Sequence, residues 1–406
     1  MEPRPYLVSS ITTVSSVEMV FLVFVVGVEQ CDFPTSTVVD TERSKFDRYV
    51  KFHEFLRFEF DNTSHIQTDD VFNPHIAVLH HGMVRNMCSI NDLAVPVLSS
   101  SHDVVGMLHV KISKLEISLD EFTCKPFPTN RPVWIGHRGA GANCFGAKIR
   151  ENTIESFNHA MTFEGVSGIE LDVSLSKDSE LVVYHDMFHP VALNGRSTKF
   201  PISSLMLAED ICAQDPVPKL EDVLRRLEPV SAGIVIELKY PTNDAIRRNP
   251  DLGTFSRDEL VQQVLQCLQQ NAETVKDRWI VLSSFDPDVV WLLHEATNQT
   301  NILVVFNTWF GHEEDTDRET FGHFKDPRNV NQTDAFAMLT KFRLGVAFEA
   351  DYVLQKGLHP GFTSLEKPLF SYGFANLSVL NLKQQKQISA FFIDDMSLIN
   401  IYGYSS

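Results

Sequence analysis

Short apolar runs that end in charged or polar clusters recur through the middle of this 406-residue chain. Val133-Trp134-Ile135-Gly136 leads into His137-Arg138, Gly168-Ile169 into Glu170-Leu171-Asp172, Leu181-Val182-Val183-Tyr184 into His185-Asp186, and Ile234-Val235-Ile236 into Glu237-Leu238-Lys239. Glu151-Asn152 makes a fifth cluster. Side chains alternate faces along a strand, so Glu170 with Asp172, and Glu237 with Lys239, each project as a pair from one face. Only Ser176–Glu180 separates the second run's extension from Leu181. A parallel crossover needs about a dozen residues or more, so this connection predicts a hairpin that delivers His185 above the carboxylates. Helical patterns fit Thr153–Thr162, Leu220–Leu227 and Arg257–Asn271.

Ionised groups at the end of a buried strand are costly unless they meet a partner, a metal or a substrate. A lone Glu-x-Asp or Glu-x-Lys is ordinarily a solvated rim or a structural ion pair. The order of the five clusters lifts them above that reading, towards a metal-assisted phosphate site. Glu170, Asp172 and Glu237 offer only oxygen donors, which suits one hard divalent cation, Mg²⁺ or Ca²⁺, over zinc. Arg138, with its planar fork, and Lys239, as a point charge, suit a phosphate. His137 and His185 are the natural acid and base, since an imidazole titrates near the working pH; which of them is the base stays open. Gly139-Ala140-Gly141 is no dinucleotide fingerprint, because Cys144 stands where the third glycine belongs.

The string Gly136-His137-Arg138-Gly139-Ala140-Gly141, followed by Glu151-Asn152-Thr153, Glu170-Leu171-Asp172-Val173, His185-Asp186 and Glu237-Leu238-Lys239, resembles the glycerophosphodiester phosphodiesterase family. Leu175-Ser176-Lys177-Asp178, Pro218-Lys219-Leu220 and Ser283-Ser284-Phe285-Asp286 extend the likeness, which covers about residues 90–355. Among relatives the chain looks closest to eukaryotic glycerophosphocholine phosphodiesterases with an N-terminal β extension. The resemblance implies an α/β fold, a TIM-like (β/α)8 barrel of the phosphatidylinositol-phospholipase-C type. It also implies Glu170, Asp172 and Glu237 as metal ligands, Glu151 and Asn152 as orienting residues, and attack by the glycerol 2-hydroxyl through a cyclic phosphate. Barrel strands are then expected at 133–136, 168–173, 233–238, 279–284, 302–307 and 344–349, with the active site at their C-terminal ends.

The C-terminus departs from the family pattern. Phe374–Leu380 and Ile388–Ile393 are the expected seventh and eighth strands, and Asn381–Gln387 is too short a crossover between them. The family's tryptophan after the seventh strand is absent. Either the barrel closes irregularly, or the chain is a shortened form with a frayed end.

Residues 1–130 read as a small, mostly-β domain ahead of the barrel domain at 131–406. Arg57–Phe60, His75–Leu79, Ala94–Leu98 and Val104–Leu119 are its expected strands, and Cys124–Pro132 joins it to the barrel. Met19–Val28 is too short to span a bilayer, so no transmembrane span is expected. Flanked by Glu18 and Glu29, it reads as a buried strand and a cytoplasmic protein, with a signal-peptide core and secretion as the alternative. Sequons at Asn62, Asn298, Asn331 and Asn376 keep that alternative open. A net charge of −18 argues against nucleic-acid partners. The six cysteines show no CxxC pair, and Cys144 reads as a buried free thiol.

Three functions follow. The first is metal-dependent hydrolysis of a small-molecule glycerophosphodiester, glycerophosphocholine foremost, to sn-glycerol 3-phosphate and an alcohol. The second is a phospholipase-type phosphodiesterase on lysophospholipid or sphingophospholipid head groups. The third is a catalytically impaired binding or regulatory homologue.

Overall fold

In the computed structural model the described residues are the strand backbones within 6–114 and residues 119, 122–129, 132–141, 149–193, 196–212, 217–309, 332–342, 344–350, 352, 356–364, 367–373 and 388–396. The chain divides into two compact units, Met1–Glu116 and Ile117–Ser406.

In the first unit, β1 (Tyr6–Thr13), β2 (Val20–Gln30), β3 (Phe46–Lys51), β4 (Phe55–Asn62), β5 (His75–His80), β6 (Ser89–Leu98) and β7 (Val104–Lys114) form one sheet. Its order is β1-β4-β5-β6-β7-β2-β3, with antiparallel neighbours throughout. The apolar run Met19–Val28 thus becomes strand β2, paired on both edges. The last expected strand ends at Lys114, and Leu119 lies outside any strand.

The second unit holds β8 (Val133–Gly136), β9 (Val166–Leu175), β10 (Leu181–Val183), the hairpin β11 (Phe188–Leu193) with β12 (Arg196–Pro201), β13 (Gly233–Leu238), β14 (Ile280–Ser284), β15 (Leu303–Asn307), β16 (Gly345–Glu349), β17 (Leu369–Tyr372) and β18 (Ala390–Ile393). One sheet runs β10-β9-β13-β14-β15-β16-β17-β18-β8, and β8 also pairs with β9. β10 is antiparallel, and the other eight strands run parallel and close into a barrel. Helices such as Ile154–Ala160, Leu220–Arg226, Arg257–Gln270 and Pro287–Thr297 fill the crossovers. The short β8 covers only the first part of β9's edge, up to Ile169. Beyond it β10 folds back as a hairpin onto Val173–Leu175 of the same strand.

The seventh strand corrects the sequence reading. It is Leu369–Tyr372, and residues 374–387 lie outside the described residues. The crossover to β18 is therefore 373–389, long enough for a parallel connection, and the apparent spacing conflict disappears. Closure is regular in its pairing: β18 joins β17 on one side and β8 on the other.

The barrel interior is built on a period of two. Ile135, Val235, Val281, Val305, Ala347, Phe370, Ala390 and Phe392 pack as one buried cluster. Phe127 and Trp279 belong to it, their rings edge to face at 5.2 Å. The segment Cys124–Pro132, expected only to join two domains, therefore also supplies barrel core. Burial of these side chains is the main force holding the ring closed. Among the described residues, no helix is long and apolar enough to cross a membrane.

Candidate active site

Two or four residues beyond these core positions, the same inward alternation reaches the barrel mouth. Ile135 leads to His137, Val235 to Glu237 and Lys239, Val281 to Ser283 and Phe285, Val305 to Asn307 and Trp309, Ala347 to Glu349, Phe370 to Tyr372 and Phe392 to Asp394. On β9 the inward face carries Glu170 and Asp172, whose register partners on β13 are Val235 and Glu237.

Glu170, Asp172 and Glu237 are all buried, and one oxygen from each lies within 4.8 Å of the others. Lys239 Nζ, 3% exposed, reaches Asp172 Oδ1 at 2.8 Å and also pairs with Glu237. Asn152 donates from Nδ2 to Asp172 Oδ2 at 2.8 Å. The Arg138 amide donates to Glu170 Oε2 at 2.9 Å, and its guanidinium reaches both Glu151 oxygens at 3.3 Å. Glu170 Oε1 and Arg138 Nε are buried with no hydrogen-bond partner among the described residues.

The loop after β8 takes this shape because of its glycines. Gly139 and Gly141 have φ of +92° and +105°, and a Cβ at either would collide with Ser156 or with the Asp394 backbone. Arg138 and Asn152 also sit in the left-handed region, at φ 50° and 55°, joined by Asn152 N donating to Arg138 O at 3.0 Å. Such backbones cost about 1–3 kcal/mol each and persist where their surroundings fix them. Here Ser156 does so, accepting from Ala140 N at 2.7 Å and donating to Arg138 O at 3.2 Å. Thr153 caps the Ile154–Ala160 helix that carries Ser156. The glycines thus bring backbone close to backbone.

Each histidine is held at Nδ1 by a carboxylate. His137 meets Asp394 Oδ1 at 2.7 Å, and His185 meets Asp186 Oδ1 at 2.9 Å. His137 Nε2 lies 3.9 Å from Glu170. Burial opposes the His137 imidazolium, but Asp394 outweighs it and raises the pKa. His185 goes the other way, down to about 4, through burial and then Lys239. Burial, reinforced by Asp172, pushes the Glu170 carboxyl up to about 8. Burial also opposes ionisation of Asp172, yet Lys239, His185 and Arg138 hold it well below the usual carboxylate range.

All nine residues singled out by sequence therefore lie around one mouth. Asp394 and the partner role of Asp186 were not singled out. Asp394 stands 257 residues from His137, a pairing that only barrel closure creates. Asp186 was visible in the His-Asp dipeptide, a pattern too common to assign a role.

The donor set fits a cation. Among the described residues, ion pairs set Glu151, Asp172 and Glu237 against Arg138 and Lys239, with Glu170 beside them, and a divalent ion would offset the excess of carboxylates. The orphaned Glu170 oxygen is a ready ligand. All-oxygen donors favour a hard ion.

On the other side of the mouth, Phe285 packs against Trp309 and Tyr372 with ring centroids 5.6 and 6.1 Å apart. The Tyr372 hydroxyl donates to Thr308 O at 2.5 Å. Lys239 Nζ lies 5.9 Å from the Phe285 centroid, which joins this aromatic side to the charged one.

A sequence profile of the Glycerophosphoryl diester phosphodiesterase family matches residues 137–341. The glycerophosphocholine phosphodiesterase of Rattus norvegicus is 26% identical over 295 residues, 61% of this chain and 43% of that protein. That of Candida albicans is 37% identical over 310 residues, 56% of this chain and 26% of that protein. The chain spans less than half the length of these curated relatives. A glycerophosphodiester phosphodiesterase structure from Thermotoga maritima is similar at 20% identity and a TM-score of 0.46, covering 67% of this chain and 98% of that one. With the profile spanning half of its residues, this chain belongs to the glycerophosphoryl diester phosphodiesterase family.

Proposed function

We propose that the chain hydrolyses glycerophosphodiesters, glycerophosphocholine foremost, to sn-glycerol 3-phosphate and the alcohol, in a reaction that depends on Mg²⁺ or Ca²⁺. The observation that carries this reading is the buried triad Glu170–Asp172–Glu237 beside Arg138, between two carboxylate-held histidines. When bound, the cation supplies charge neutralisation at the phosphoryl oxygens. Arg138, whose Nε makes no hydrogen bond among the described residues and lies 3.6 Å from Asp172 Oδ2, and Lys239 hold the phosphate. Glu151 and Asn152 orient Arg138 and Asp172.

In this reading His185, held neutral, takes the proton of the glycerol 2-hydroxyl as its oxygen attacks phosphorus. His137, whose charged form Asp394 favours, gives a proton to the departing alcohol oxygen. The bond to that alcohol breaks and a cyclic phosphate remains. The roles then reverse: His137 deprotonates water, and His185 returns its proton to the 2-oxygen as the ring opens. A substrate phosphate near Lys239 offsets part of the positive field that depresses His185.

The test is an assay of the purified chain, with cation, on glycerophosphocholine and lysophosphatidylcholine. Release of sn-glycerol 3-phosphate and choline from the first is expected. Cleavage of the lysolipid alone would transfer the function to the phospholipase class, and no turnover of either would leave a binding homologue.

A further inference from the structure

We infer that Phe285, Trp309, Tyr372 and Glu349 receive a cationic alcohol group of the substrate, an ammonium such as that of choline. The inference rests on the phosphodiester reading of the charged side, since a diester held there directs one of its two alcohols towards β14–β17. The three rings form a connected wall, Trp309 to Phe285 to Tyr372. Glu349, at the end of β16, lies over Gly373, the residue after Tyr372; a Cβ there would stand 3.2 Å from Glu349 Cγ. Aromatic faces beside one carboxylate attract a cation more strongly than a neutral polyol. The Tyr372 hydroxyl proton is already given to Thr308 O, so the ring itself offers mainly its π-face. Trp309 and Glu349 are only half-buried.

The experiment compares glycerophosphocholine with glycerophosphoglycerol, which carries a neutral alcohol in place of choline, using the full chain with its cation. In Trp309→Leu, and separately in Glu349→Gln, the ratio of kcat/KM for the choline diester to that for the glycerol diester should fall about tenfold, mainly through KM. An unchanged ratio in both variants would overturn the proposal. Should the wild type turn over neither diester, the proposed function fails but this inference is still decided by binding. Choline should then quench tryptophan fluorescence in the wild type more strongly than its uncharged isostere 3,3-dimethylbutan-1-ol, and Trp309→Leu should abolish the difference. Equal response to the two alcohols would contradict an ammonium site.

Discussion

The two halves of the barrel mouth are built on one alternation and end in opposite chemistry. Strands β18, β8, β9 and β13, contiguous in the ring, carry Asp394, His137, Glu170, Asp172, Glu237 and Lys239. Strands β14 to β17 carry Phe285, Trp309 and Tyr372 with Glu349 as their carboxylate. The difference follows from what burial demands. A charge beside a barrel core is tolerable only with a countercharge on a neighbouring strand, so charged groups must be adjacent. Asp394 of the β18 end meets His137 of the β8 end, and Lys239 after β13 meets Asp172 of β9. Aromatic side chains have no such requirement and occupy the remaining arc.

The harshest way to break this arrangement is to open the ring. Deleting residues 373–406 removes β18, leaves β17 and β8 unpaired there, and takes Asp394 from His137. The truncated chain should lose its cooperative thermal transition, because two parallel edges and their apolar faces are exposed. A melting temperature equal to that of the full chain would show that the charged arc does not depend on closure.

Less drastic is removal of one histidine at a time. His137→Ala or His185→Ala should lower kcat by about two to four orders of magnitude while folding is retained. The double variant should lose far less than the product of the two, since both act in one reaction. Multiplicative losses in kinetics would make the two histidines independent.

The charged arc also predicts a proton linkage. Without a cation the Glu170 carboxyl sits at about 8, so near pH 7 it is largely protonated. A cation needs the carboxylate, so its binding should release close to one proton at pH 7, and its apparent affinity should rise with pH and level off above about 8. Calorimetric titration in buffers of different ionisation enthalpy reads this release. An affinity independent of pH between 6 and 8 would place the ion elsewhere.

The smallest effect belongs to the aromatic arc. Tyr372→Phe removes the hydrogen bond to Thr308 O and should cost about 1 kcal/mol in denaturant unfolding, with the Trp309 and Phe285 rings still in contact. A loss as severe as that of a catalytic histidine would blur the distinction between the arcs.

The charged arc was legible in the sequence because charges after apolar runs are costly exceptions, and exceptions stand out. The hairpin carrying His185 was legible from the shortness of Ser176–Glu180 alone. The aromatic arc was not: Phe285 stood out only as part of Ser283-Ser284-Phe285-Asp286, and no charge or spacing marked Trp309 or Tyr372. The true seventh strand hid for a related reason: Leu369–Tyr372 is short and follows Pro368, whereas Phe374–Leu380 shows a longer strand-like pattern. The His137–Asp394 contact depends on ring closure, which no local pattern records. The hairpin Phe188–Pro201 and strands β1 and β3 likewise passed without a distinctive signal.

The central claim, that Glu170, Asp172 and Glu237 hold the cation on which phosphodiester cleavage depends, is tested most directly by chelation and reconstitution with glycerophosphocholine as substrate. EDTA should abolish hydrolysis, and added Mg²⁺ or Ca²⁺ should restore it. Glu170→Gln and Asp172→Asn should fold, by circular dichroism, yet stay inactive at saturating cation. Full hydrolysis in excess chelator, or full activity in either variant, would contradict the account.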